Sequence, residues 1–100
     1  MNARTERINQ AIEKAKERDK NKCRVCGSTR VDGAHILPRN VAFPWYHADR
    51  HEWIISLCRN HHRSFDQNHS PESREEWLKK HGLVEDAFKI KLGMEGLLHE

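Results

Sequence analysis

One hundred residues, 36% of them hydrophobic and 33% charged, with a mean hydropathy of −0.96, suit one small domain with a modest core. A core of that size often needs a metal, a disulfide or a partner to hold it. Three cysteines cannot all pair within the chain, no N-terminal apolar run reads as a signal peptide, and no stretch approaches membrane-spanning length. The expectation is a soluble cytoplasmic protein, reduced, whose cysteines bind metal.

The net charge of +3 is mild, but it is unevenly spread. Residues 1–50 hold 11 Lys+Arg against 6 Asp+Glu, whereas residues 51–100 hold 7 against 9. The basic excess is densest over Lys14, Lys16, Arg18, Lys20, Lys22, Arg24 and Arg30. Such a stripe suits a nucleic-acid partner, although lysine-rich helix faces are often merely solvated.

In chain order, residues 4–19 read as a helix, with Ile8, Ala11, Ile12 and Ala15 at three- and four-residue spacing on a charged background. Residues 23–27 form a tight turn, and residues 30–36 a short strand. The two prolines at 38 and 44 predict a loop. The apolar run 53–57 is the clearest strand. Beyond Cys58 the pattern turns helical and sets His62 and Asp66 four residues apart, on one face. Ser70-Pro71 is a helix start and Gly82 its end, with a last short helix near 84–92. Trp77, Leu78, Leu83, Phe88 and Leu92 are expected to pack. Residues 1–100 thus read as a single α+β domain, with a core over 22–68, an N-terminal helix over 4–19 and C-terminal helices over 71–92.

Two short motifs carry chemistry. Cys23-Arg24-Val25-Cys26 and Cys58-Arg59-Asn60-His61 each set two ligand types three positions apart, the spacing at which a tight turn offers both to one tetrahedral ion. A Cys3His structural site for Zn2+ is expected, with Gly27 allowing the first turn to close. His62 is the alternative fourth ligand, but His61 keeps the two motifs symmetric. In such a small protein the metal's binding energy becomes folding energy.

The second motif pairs Asp32-Gly33-Ala34-His35 with the helical His62 and Asp66. A hydrolytic site needs a base that titrates near neutrality, which suits His35, and a cation to stabilise developing charge, which suits His62 and Asp66 gripping one ion from a single helix face.

At these residues the chain resembles the HNH endonuclease family, whose core is a ββα-metal fold. The resemblance covers about residues 22–66: the CxxC motif, the segment Ala34-His35-Ile36-Leu37-Pro38-Arg39, the end of the apolar strand at Leu57-Cys58, and the stretch from His61 to Asp66. It implies metal-dependent hydrolysis of DNA, nicking or cutting both strands, with His35 as general base. His62 and Asp66 would hold a catalytic divalent ion (Mg2+, Mn2+ or another). Arg39 and Arg63, with Arg24 and Lys22, would contact DNA. Two positions depart from the family pattern. Ala34 stands where a further metal ligand is common, so the ion would rest on His62 and Asp66 with water and the DNA phosphate completing its shell, or Asp32 would have to reach in. Trp53 stands where the central Asn is usual, with His51, Glu52 or the remoter Asn40 as substitutes. His47, His51 and His69 are expected to be exposed and non-catalytic, and Trp45 and Tyr46 to pack in the core rather than stack on a base. The competing readings are a zinc-stabilised DNA-binding module that does not cut and, behind it, a protein–protein adaptor. A homodimer or a partner protein would supply specificity.

Overall fold

The computed structural model describes residues 3–37 and 50–99, with backbone alone at position 4 and over 93–99. The elements run α1 (Ala3–Arg18), β1 (Asp32–His35), a 3-10 turn (His51–Trp53), β2 (Ile54–Leu57), α2 (Arg59–Asp66), α3 (Pro71–Lys80) and α4 (Val84–His99). The expected loop, with Asn40, Trp45, Tyr46 and His47, lies outside the described residues, as does Arg39.

β1 and β2 form an antiparallel pair in the register Asp32–Leu57, Gly33–Ser56, Ala34–Ile55 and His35–Ile54. Side chains alternate across a strand, so the two faces of this pair meet different neighbours. On one face, Ala11 and Ala15 of α1 are buried against Ile54, with Ile12 beside them. Small residues let the helix approach closely. At Gly33 an added Cβ would lie 2.7 Å from the Ile12 side chain, so any larger residue would push α1 off the sheet. Arg18 closes this side by donating to the carbonyls of His51 and Ile54 at 2.8 and 2.7 Å. The adjacent Asp19 accepts from the Ser56 amide at 3.1 Å.

The other face carries the main core. Ala34, Ile55 and Leu57 pack with Ile36, Leu37, Phe65, Trp77, Leu78, Leu83, Ala87 and Ile90. Phe65 anchors α2 by its single fully apolar position, and its ring lies 5.1 Å from that of Trp77. The N-terminus of α3 is capped as its sequence requires: Ser70 accepts from the Ser73 amide at 3.1 Å and Pro71 occupies the first turn. Gly82, at φ +80°, then ends it in the left-handed conformation that glycine adopts without strain. α4 returns over the core, tied by Asp86, buried and 2.8 Å from Arg24.

Three expectations need revision. The C-terminal helix runs on to His99, because Gly93 and Gly96 weaken a helix by only about 1 kcal/mol each and do not forbid it. Phe88 and Leu92 do not pack: they are 58% and 50% exposed, on the outer side of α4. Trp53 belongs to the 3-10 turn ahead of β2, and its side chain lies partly buried against the core.

Candidate metal centres

The two cysteine motifs meet. Cys23, Cys26, Cys58 and His61 bring their ligand atoms within 4.8 Å of one another. Cys26 Sγ lies 3.8 Å from Cys58 Sγ, and His61 Nδ1 lies 3.7 Å from Cys23 Sγ and 3.1 Å from Cys58 Sγ. Tetrahedral zinc with Zn–S near 2.3 Å and Zn–N near 2.0 Å separates its ligands by about 3.5–3.8 Å, so the donor set fits and the observed separations bracket that range. The first turn is built for this. Gly27, at φ +77°, donates to the Cys23 carbonyl at 2.9 Å, and the Cys23 amide donates to Ser28 at 2.8 Å. Burial alone would push the Cys23 thiol up, but the backbone amides of Cys58, Cys26 and Val25 outweigh it and bring it down to about 6, toward the thiolate that metal binding needs. The outer edge of His61 meets Trp77 and His81, whose rings stack at 3.9 Å.

The second centre lies one residue further along α2. His62 Nδ1 is 3.3 Å from Asp32 Oδ2, and His62 Nε2 is 3.1 Å from Asp66 Oδ2. A neutral imidazole has one N–H. Donated to Asp32, it leaves the Nε2 lone pair facing a carboxylate oxygen, an arrangement that calls for a proton or a metal ion between them. Neighbouring ligands of an octahedral ion with bonds near 2.1 Å lie about 3 Å apart, so His62 and Asp66 fit such a group. The carboxylate behind the ring matches the usual way a metal-binding histidine is oriented. These residues line an open hollow of about 450 Å³, with Arg59, Arg63, Gln67 and His69 completing its rim.

Arg74, on α3, was not singled out by the sequence and proves central. It is 7% exposed, with its guanidinium 4.6 Å from the Phe65 ring. Its Nη1 donates to the His35 carbonyl at 2.7 Å, its Nε to the Asn68 carbonyl at 2.8 Å, and its Nη2 lies 3.5 Å from Asp66 Oδ1. Asn68 is itself pinned by Ser73 and by the carbonyls of Ser64 and Phe65. One guanidinium therefore ties the end of β1 to the carboxylate of the second centre. No local pattern announces such a contact, since its partners are six to 39 residues away.

The expected catalytic residues are thus partly assembled. His62 and Asp66 come together, and Asp32, on the same strand face as the buried Ala34, joins them. His35 closes β1 with its backbone on Arg74. The register pairs it with Ile54, so its Cβ leaves the strand on the α1 side, and it does not line the hollow. His51 and Glu52, expected as stand-ins for the central Asn, sit in the 3-10 turn beside Arg7, Gln10 and Lys14, away from the hollow. Of the expected DNA contacts, Arg63 is exposed on the hollow's rim and Lys22 is exposed near the first knuckle. Arg24 has its charge met by Asp86 and, at 3.9 Å, by Asp19. His69 is exposed as expected but lies on the hollow's rim.

Two antiparallel strands followed by a helix, with a Cys3His cluster at their junction and the His62–Asp66 pair on that helix, define a small α+β core of the ββα-metal type. Residues 23–69 match the family model for HNH endonuclease. No curated protein and no solved structure gives a match.

Proposed function

We propose that this chain is a metal-dependent DNA endonuclease that hydrolyses phosphodiesters at the hollow between β1 and α2. The observation that carries this reading is the placement of His62, held at one ring nitrogen by Asp32 and facing Asp66 with the other. His62 and Asp66 would hold a divalent ion (Mg2+ or Mn2+), which when bound supplies positive charge against the phosphate in the transition state. Asp32 fixes the orientation and tautomer of His62. Arg74 holds Asp66 and the end of β1 in one place. His35 leaves β1 on the α1 side, so to act as general base its ring must reach round the end of the strand to the scissile phosphate, taking a proton from the attacking water as the phosphorus–oxygen bond to the leaving strand breaks. Arg59 and Arg63, exposed on the rim, meet the flanking phosphate charge, with Lys22 and Arg39 contributing beyond it.

The test is plasmid nicking by zinc-loaded protein with Mg2+, with Mn2+ and without added divalent ion. Wild type cuts only with the added ion. His35→Ala is expected to lose cleavage while keeping its fold, zinc content and DNA affinity. Full activity in that variant would remove the base assignment. The second reading, a zinc-stabilised DNA-binding module that does not cut, is favoured by Ala34, which is fully buried and cannot ligate. It predicts binding without nicking under every ion.

A further inference from the structure

The hollow holding His62 and Asp66 continues past the first turn of α2. Asp32 and Arg59 line both that hollow and a larger groove of about 860 Å³, which runs between α1, the first cysteine turn and the start of α2. Lys16 of α1 and Arg30 join Arg59 in lining it, among neutral donors such as Asn21, Thr29 and Asn60. The charge here is largely unspent. Among the described residues, neither Arg30 nor Arg59 forms an ion pair, and the Lys16 ammonium lies 3.8 Å from Glu13 on the solvent side of its helix. Arg18 and Arg24, by contrast, are each committed to a buried carboxylate, and Arg74 to the carbonyls of His35 and Asn68. Among the described residues the one acidic group lining the groove is Asp32, already facing His62.

We infer that this groove is the track for the sugar–phosphate backbone of the DNA strand on one side of the scissile phosphate. The inference rests on the endonuclease reading and adds where the strand runs and how it is read. Cations and neutral hydrogen-bond donors suit phosphate and sugar contacts, which position a strand without reading its sequence. Among the described residues no Trp, Tyr or Phe lines the groove to stack a base. Three of the four candidate zinc ligands, Cys26, Cys58 and His61, form its wall, so the cations sit on a platform that needs little ordering when the strand arrives.

The experiment measures binding of a labelled DNA duplex by anisotropy across a salt series, with zinc-loaded protein and no added Mg2+. Arg30→Ala and Lys16→Ala are each expected to weaken binding several-fold. Each should also lower the slope of log affinity against log salt by about 1, equally for unrelated sequences. In cleavage assays the double variant is expected to raise KM while kcat stays near wild type. An unchanged affinity and salt slope in the double variant, with zinc content and melting intact, overturns the inference. So does a loss confined to one DNA sequence. Wild type that binds with the expected slope but never nicks would sink the endonuclease reading and leave the track standing. Wild type that nicks while the double variant binds normally would do the reverse.

Discussion

Arg74→Met keeps an aliphatic stem against Phe65 and removes every donor of the guanidinium. Two short bonds disappear, to the carbonyls of His35 and Asn68 at 2.7 and 2.8 Å. A hydrogen bond from a charged donor contributes about 1.5–3 kcal/mol, and a carbonyl left buried without a donor bears its own desolvation penalty. The Asp66 contact adds little, because that carboxylate is half exposed and the separation is 3.5 Å. Against these losses, burial pushes the Arg74 guanidinium down from its ordinary pKa, a desolvation penalty that methionine does not bear. The net loss expected is about 3 kcal/mol. For a chain of this size that lowers the melting point by roughly 10–25 °C, read by calorimetry on zinc-saturated protein. Arg74→Lys, with one ammonium for two widely placed carbonyls, should lose about half as much. A loss below about 1 kcal/mol in the methionine variant would mean that water satisfies both carbonyls and that Arg74 does not tie β1 to α2.

Chelating zinc, or Cys58→Ser, should unfold most of the chain. The change should appear in the fluorescence of Trp77, which packs on His61, and an unaltered melting curve would refute a structural metal. Asp32→Asn keeps the side-chain shape but removes the negative charge facing His62. It should weaken binding of the catalytic ion about 10–100-fold, measured by Mn2+ titration, while zinc content and melting stay near wild type. Asp19 predicts an acid limb of stability. Burial would raise its pKa, but the hydrogen bond from Arg18 and the Ser56 amide outweigh that and hold it below the usual carboxylate range. A depressed folded pKa means stability present above about pH 4 and lost as pH falls through the folded value. The stability difference between wild type and Asp19→Asn should therefore shrink on acidification. A difference constant from pH 6 to pH 3 would refute that assignment.

The parts of this protein that were legible in its sequence are those whose cause is local. Two ligands three positions apart in a tight turn announce a metal. Ser70-Pro71 announces a helix start, and the four-residue spacing of His62 and Asp66 announces a shared helix face. What stayed hidden depends on which elements become neighbours. The Phe88 and Leu92 positions have helical spacing, but spacing alone does not say which side of α4 will find a partner. Arg24 reads as a free cation until α4 brings Asp86 against it at 2.8 Å. Arg74 reads as one more surface charge until α3 folds over the end of β1. The register of β1 was also invisible, and it decides that Asp32 shares a face with Ala34 while His35 does not.

Consecutive positions on a helix point about 100° apart, and α2 uses that step between His61 and His62. One ring faces the cysteine turns and the next faces the hollow, so a single helical turn serves both centres. Eight residues are too few to form a helix on their own in water, and α2 offers the core only Phe65. Its other anchor is the Cys58–His61 pair. An ion bound at the Cys3His cluster would therefore fix the angle at which His62 meets Asp32 and Asp66. Ala34 is fully buried in the core cluster that also holds Phe65 of α2, so position 34 packs rather than ligates. A carboxylate two residues earlier projects from the same strand face and reaches His62 from the strand's other end. On this geometry position 34 serves the core, and the carboxylate that faces His62 comes from position 32.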